Sequence, residues 1–243
     1  MDPLDSADPL AVAVTAAIRQ GDLPALAGLL ADRPGLAGTR IVRCGEAAGE
    51  RSLLHIATDW PGHCPNTAAV IATLVAAGAD PDARFIGRHR ETPLHWAAGN
   101  DDVPALDALI AAGADIEAPG GVIGGGTPLA DARGFGQWRA ARRLLEHGAR
   151  ADLQDAATLG LTDRVEAFLA APEPPTSEDI THAFWGACHG GQLPTARLLL
   201  HHGADPHRVG HDGLTPLAIA RAQGATDVVD WLATRTTEAA ATD

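Results

Sequence analysis

Residues 91–118, ETPLHWAAGNDDVPALDALIAAGADIEA, constrain the fold more than any other stretch. Thr92-Pro93-Leu94-His95 opens a short helix. Thr can cap it, and Pro fits the first turn, where a missing N–H costs nothing. A turn at Gly99-Asn100-Asp101-Asp102 leads to a second helix with Pro104 in its first turn. Leu106, Leu109 and Ile110 give that helix i, i+3, i+4 apolar spacing. Gly113 suits the left-handed residue that ends a helix, and Ala114-Asp115 begins an extended finger. Such a unit cannot bury its own apolar side and needs copies stacked against it.

The copies are present. Ser52-Leu53-Leu54-His55, Thr127-Pro128-Leu129-Ala130 and Thr215-Pro216-Leu217-Ala218 repeat the opening. Ala77-Gly78-Ala79-Asp80, Ala112-Gly113-Ala114-Asp115, His147-Gly148-Ala149-Arg150 and His202-Gly203-Ala204-Asp205 repeat the close. Glycine spacings of 35, 35 and 55 leave room for one shortened unit in the last interval, starting at Leu153-Gln154-Asp155-Ala156-Ala157. Over roughly residues 10–235 the chain resembles the ankyrin-repeat family, whose period is about 33 residues. The resemblance implies an all-α solenoid of stacked helix-turn-helix units with β-hairpin-like fingers. About seven repeats are expected, at 9–37, 50–83, 91–118, 126–151, 152–171, 180–207 and 213–235. An acidic tail (1–8) and a flexible C-terminal tail (236–243) flank them. The first repeat lacks the Thr-Pro-Leu-His opening, as a solvent-facing cap would.

Composition excludes several classes. The net charge of −13 argues against a nucleic-acid or anionic-membrane surface. All 18 basic residues are arginine, tyrosine is absent and alanine is abundant, which points to a GC-rich bacterial source. Three scattered cysteines, Cys44, Cys64 and Cys188, form no disulfide framework or paired metal spacing. The start MDPLDSADPL lacks a basic signal-peptide region, and no apolar run reaches membrane-spanning length. A cytoplasmic, monomeric protein without cofactor or metal is expected.

Two insertions and one finger carry the candidate binding residues. The finger from Gly38 to Arg51 is about seven residues over the family period, a tolerated insertion or a binding edge. Repeat two has extra residues at Asp59-Trp60-Pro61-Gly62-His63-Cys64-Pro65-Asn66. Asp59, His63 and Cys64 hint at a metal but lack a second ligand pair, and Trp60 is expected to fold back onto the stack or meet a partner. The finger Arg84-Phe85-Ile86-Gly87-Arg88-His89-Arg90-Glu91 concentrates arginine. As a strand it would put Arg84, Arg88 and Arg90 on one side, suited to capturing carboxylate or phosphate. Neutralisation of Asp80, Asp82, Glu91 and Asp115 is the alternative. The finger at 118–126 is apolar and glycine-rich, without the Lys-Ser/Thr of a phosphate loop, and reads as a flexible contact tip.

No Gly-x-Ser-x-Gly, His-Glu-x-x-His or paired-carboxylate motif is present, and Cys188 and His189 are sequence neighbours that diverge on a helix, so no catalytic residue is assigned. The family resemblance implies that His55 and His95 hydrogen-bond backbone between adjacent repeats. It also implies a concave binding groove at the finger tips and first-helix ends. There the matching residues are Arg19-Gln20, Gly99-Asn100, Gly134-Phe135, Thr158-Leu159, His189-Gly190 and Ala222-Gln223. The expected function is non-catalytic binding of a partner protein through Arg84, Arg88, Arg90, Trp60, Asn100, Phe135 and His189. The alternative is a small-ligand binder or enzyme using Trp96, Trp185 and His189 in that groove.

Overall fold

The computed structural model describes residues 2–43 and 49–240, and Cys44 lies outside them. Fourteen α-helices in seven antiparallel pairs dominate the described residues. The chain divides into two compact units, Met1–Ala149 and Arg150–Asp243.

The first unit holds α1 (Pro9–Gln20), α2 (Leu23–Asp32), α3 (Leu53–Thr58), α4 (Thr67–Ala76), α5 (Pro93–Gly99), α6 (Val103–Ala111), α7 (Pro128–Gly134) and α8 (Trp138–Glu146). Its core follows from the repeat register. Val70, Ile71 and Leu74 of α4 are buried, and so are Ala105, Leu106 and Leu109 of α6 and Ala140, Ala141 and Leu144 of α8. These are the same three positions, 35 residues apart each time, so each helix presents the same stripe to the next. Pairing each of α4, α6 and α8 with a short first helix encloses that stripe from the other side. Gly78, Gly113 and Gly148 follow α4, α6 and α8 with φ of 96°, 92° and 92°, the left-handed region that ends a helix.

A three-stranded sheet stands at the start of this unit: β1 (Leu4–Asp5), β2 (Arg40–Arg43) and β3 (Gly49–Ser52). β2 and β3 are antiparallel, with Arg40 opposite Ser52, and β1 runs parallel to β2 with Leu4 opposite Ile41. The described parts of the long finger are therefore paired strands, and residues 4–8 of the acidic tail are not loose. Ser6 N–H donates to the Val42 carbonyl (3.1 Å), and Asp8 caps α1 through Leu10 N–H (2.8 Å).

The second unit holds α9 (Leu153–Thr158), α10 (Thr162–Leu169), α11 (Ser177–His189), α12 (Leu193–His201), α13 (Pro216–Ala222) and α14 (Thr226–Ala240). Its core gathers Ala156, Ala157, Val165, Phe184, Ala187, Leu199 and Val228. Thr176 caps α11 by pairing with Asp179, whose carboxylate accepts from the Thr176 hydroxyl (2.6 Å) and N–H (2.9 Å). α14 continues through residues 236–240, where a flexible tail was expected from the sequence.

Candidate functional site: a cleft edged by Trp60 and Phe135

The inter-repeat histidines build the floor. His55 Nε2 donates to the Glu91 carbonyl (3.1 Å), and His95 Nε2 donates to the Gly126 carbonyl (3.1 Å). A carbonyl only accepts, so each ring carries its proton on Nε2 and leaves Nδ1 as acceptor. Nδ1 of His55 takes the Ser52 hydroxyl (2.8 Å), and Nδ1 of His95 takes the Thr92 hydroxyl (2.9 Å). Burial pushes the His55 pKa down to about 3 and that of His95 to about 4, so both are neutral spacers at physiological pH. Trp96 packs above them, its ring 4.8 Å from that of His55 and 5.5 Å from that of Phe85.

One wall is the insertion between α3 and α4, which is anchored at both ends. Asp59 accepts from Arg51 (2.6 Å) and Arg19 (3.1 Å). Asp102 accepts the His63 N–H (2.6 Å), and His63 Nε2 donates to the Asn100 carbonyl (3.1 Å). With Asp59 and His63 held, the crest between them turns outward and Trp60 is 79% exposed. The expectation that Trp60 folds back is thus corrected: the anchors take the loop's polar groups inward and leave its ring in solvent. Asp59 and His63 are spent on these anchors. Among the described residues, no group of three His, Cys, Asp or Glu side chains is arranged to hold a metal.

The other wall comes from α7 and the finger before it. Phe135 ends α7, is 48% exposed and lies over Gly99, where an added Cβ would come 3.5 Å from its ring. Asp131 is buried at 1%, and its two oxygens accept the N–H groups of Ile123 (2.8 Å) and Val122 (3.2 Å). The glycine-rich finger is therefore tied down rather than a free tip. Gly121 is needed there, because a Cβ would fall 2.7 Å from both Asp131 oxygens.

Between these walls lies a cleft of about 440 Å³, lined by Trp60, Trp96, Asn100, Phe135, Glu91 and Asp131 among others. Asn100 is held in place by donating its amide to the Thr58 carbonyl (2.8 Å). Desolvation raises the Glu91 pKa to about 7, nearby Asp131 adds to the rise, and the Trp96 indole N–H, donating to the carboxylate, offsets part of it. Burial likewise raises the Asp131 carboxyl, opposed by its two backbone N–H donors and by His89 and Arg133.

The structure thus brings Trp60, Asn100 and Phe135 to one cleft, as grouped from the sequence, but not the other candidates. The segment 84–90 forms no strand and makes only a bridge between Ile86 and Glu50, so its arginines share no strand face. Arg84 is structural: its guanidinium donates to the carbonyls of Arg90 (3.2 Å) and Pro119. Arg88 and Arg90 are exposed, and neither forms an ion pair with Asp80, Asp82, Glu91 or Asp115 among the described residues. His189 is buried at 6% in the second unit, 5.3 Å from the Trp185 ring, so it offers no surface to a partner; α11 turns it into the core. Trp185 is itself committed, its N–H donating to the Leu214 carbonyl (2.9 Å). Burial pushes the Cys188 thiol up to about 12, leaving it an inert core residue. Glu91 and Asp131 were missed as site residues. The available signal was Asp131 itself, a charge on a helix position whose equivalent in α5 is Trp96.

Among the described residues, no helix is long and apolar enough to cross a membrane. Residues 89–118 match the family described as "Ankyrin repeat", and residues 185–233 match "Ankyrin repeats (many copies)". Over 163 residues the chain is 29% identical to the ankyrin repeat and KH domain-containing protein mask-1 of Caenorhabditis elegans. That similarity covers 67% of this chain but only 5% of the length of the C. elegans protein.

Proposed function

Because this chain is an ankyrin-repeat protein, we propose that it is a non-catalytic module that captures a partner protein in the cleft around Trp60, Asn100 and Phe135. Ankyrin repeats are in general protein–protein interaction modules. The observation that carries the reading is Trp60, a 79% exposed indole on a loop anchored at both ends. Holding a large ring in water on a fixed loop gains nothing for folding, and a pre-positioned tryptophan is a typical binding anchor. Phe135, also solvent-facing, stands across the same cleft. A non-catalytic role is supported by the structural use of His95 and Asp131; Glu91, whose pKa is raised to about 7, is the cleft carboxyl that still exchanges a proton near neutrality. His95 has both ring nitrogens bonded, and Asp131 has both oxygens on backbone N–H groups.

The test is affinity purification of the tagged chain from its own cell extract, with mass spectrometry. Three forms are compared: the unaltered chain, a Trp60→Ala/Phe135→Ala double variant and an Arg88→Ala/Arg90→Ala double variant. One stoichiometric protein retained by the unaltered chain and lost by the cleft variant is the expected result. Equal capture by the cleft variant overturns the assignment of the surface, and loss confined to the arginine variant moves it to the finger.

A further inference from the structure

The finger between α4 and α5 ends in a tip whose backbone is fixed and whose two exposed arginines are not. The Phe85 N–H donates to the Glu91 carbonyl (2.8 Å), closing a loop over residues 86–90. Ile86 exchanges two backbone hydrogen bonds with Glu50 of β3 (2.9 and 3.1 Å), and the Arg90 N–H donates to the Gly120 carbonyl (3.1 Å). The Arg40 guanidinium donates to the Arg84 carbonyl (2.7 Å), and that of Arg84 to the Arg90 carbonyl (3.2 Å). The Phe85 ring packs against Trp96 (5.5 Å), and a Cβ on Gly87 would strike that ring.

On this fixed loop Arg88 and Arg90 are exposed, whereas His89 between them is half-buried and acts on Asp131. Neither guanidinium has a partner among the described residues. Other arginines of the first unit face carboxylates: Arg19 and Arg51 meet Asp59, Arg139 meets Asp101 and Arg143 meets Asp107. Two unpaired like charges on one short loop oppose folding slightly, in a chain whose net charge of −13 offers acids enough to pair them. Ile86 on the same loop is 51% exposed. Val122, on the finger that Arg90 bonds, is also exposed and lines the cleft.

We propose that this tip is an interaction surface for an acidic segment of the partner protein, with one carboxylate on Arg88, a second on Arg90 and an apolar side chain over Ile86. The inference rests on the reading that this chain binds a partner protein, and Val122 makes the surface continuous with the cleft. Charge complementarity selects the occupant: an acidic segment is repelled by the chain as a whole and attracted here. A guanidinium fork matches one carboxylate with two parallel hydrogen bonds. No strand aligns Arg88 with Arg90, so the two forks take two carboxylates rather than closing on one phosphate.

The experiment follows the arginine Nε–H signals of the ¹⁵N-labelled full chain by NMR at low ionic strength, during titration with a decaglutamate peptide and, separately, with inorganic phosphate. Arg139, whose side chain is 71% exposed, is the internal control. Saturable shifts at Arg88 and Arg90 with Arg139 unmoved are expected from the peptide. Arg88→Ala/Arg90→Ala weakens peptide binding about tenfold, and Trp60→Ala/Phe135→Ala leaves it unchanged. No saturable shift, an equal response at Arg139, unchanged binding by the arginine variant, or a preference for phosphate over the peptide overturns the proposal. Partner capture supplies the second readout. Loss in both the arginine and the cleft variants supports the continuous surface. Loss in the cleft variant alone overturns the acidic-segment inference and leaves the cleft reading standing. Loss in the arginine variant alone does the reverse, removing the cleft and keeping the finger.

Discussion

His95 Nε2 sits 3.1 Å from the carbonyl oxygen of Gly126, which begins the following repeat, while its Nδ1 holds Thr92 of its own. Both histidines of this kind are neutral when folded, with pKa values of about 3 and about 4, against 6.5 in an open chain. Below pH 6.5 the unfolded state therefore takes up protons that the folded state refuses, and stability falls as the pH falls towards 4. The loss is roughly 1.4 kcal/mol per pH unit for each fully shifted histidine. Urea unfolding midpoints at pH 7.5 and 5 should differ clearly in the unaltered chain. His95→Gln should lower stability at pH 7.5 and reduce that difference.

Glu91 works in the opposite sense. Its folded pKa is about 7 against an ordinary 4.5, so between those values the folded state holds the extra proton and stability falls as the pH rises. Glu91→Gln should raise the urea midpoint at pH 8 relative to the unaltered chain, with the advantage gone below pH 4.5. The groups around the carboxyl are Asp131 from α7, Trp96 and His95 from α5, and His55 from α3, which bonds the Glu91 carbonyl.

Two glycines should respond with opposite signs. Gly121→Ala forces a Cβ to within 2.7 Å of both Asp131 oxygens and should cost about 1–3 kcal/mol by displacing the finger. Gly28, inside α2, has nothing within 4 Å of a Cβ, so Gly28→Ala should add about 0.5–1 kcal/mol by reducing the freedom of the unfolded chain. Chemical denaturation of the two variants decides both.

The finger arginines should separate into structural and surface groups. Arg84→Ala removes donors to the carbonyls of Arg90 and Pro119 and should cost about 1–2 kcal/mol. Arg88→Ala/Arg90→Ala, at exposed positions, should change stability by less than about 0.5 kcal/mol. Equal effects in thermal unfolding would contradict the separate roles.

The repeated grammar made the helices legible because its spacing is itself the packing requirement. Leu106 and Leu109 repeat at Ile71 and Leu74 and again at Ala141 and Leu144, since each unit must present the same stripe. The roles of His55 and His95 were accessible through family resemblance, because a residue in a fixed register meets the same backbone each time. The cleft was only partly legible. Trp60 and Phe135 announce themselves as large rings at insertion and helix-end positions. Their exposure, however, depends on long-range anchors such as His63 to Asp102, 39 residues apart, which no local pattern encodes. The strand assigned to Arg84, Arg88 and Arg90 failed for a related reason. Alternation in a short polar segment is weak evidence without a partner edge, and here β3 reaches only Ile86. His189 fits the groove by register, yet the longer helix α11 turns its ring inward.

The histidine bonds point one way along the first unit, from α3 and from α5 to the backbone that opens the next repeat. Cutting the chain after residue 118 would therefore leave a repeat that is whole by sequence but open by chemistry, with the His95 N–H facing a missing carbonyl. The chain's indivisible block is longer than its period: a repeat closes only when its successor has begun.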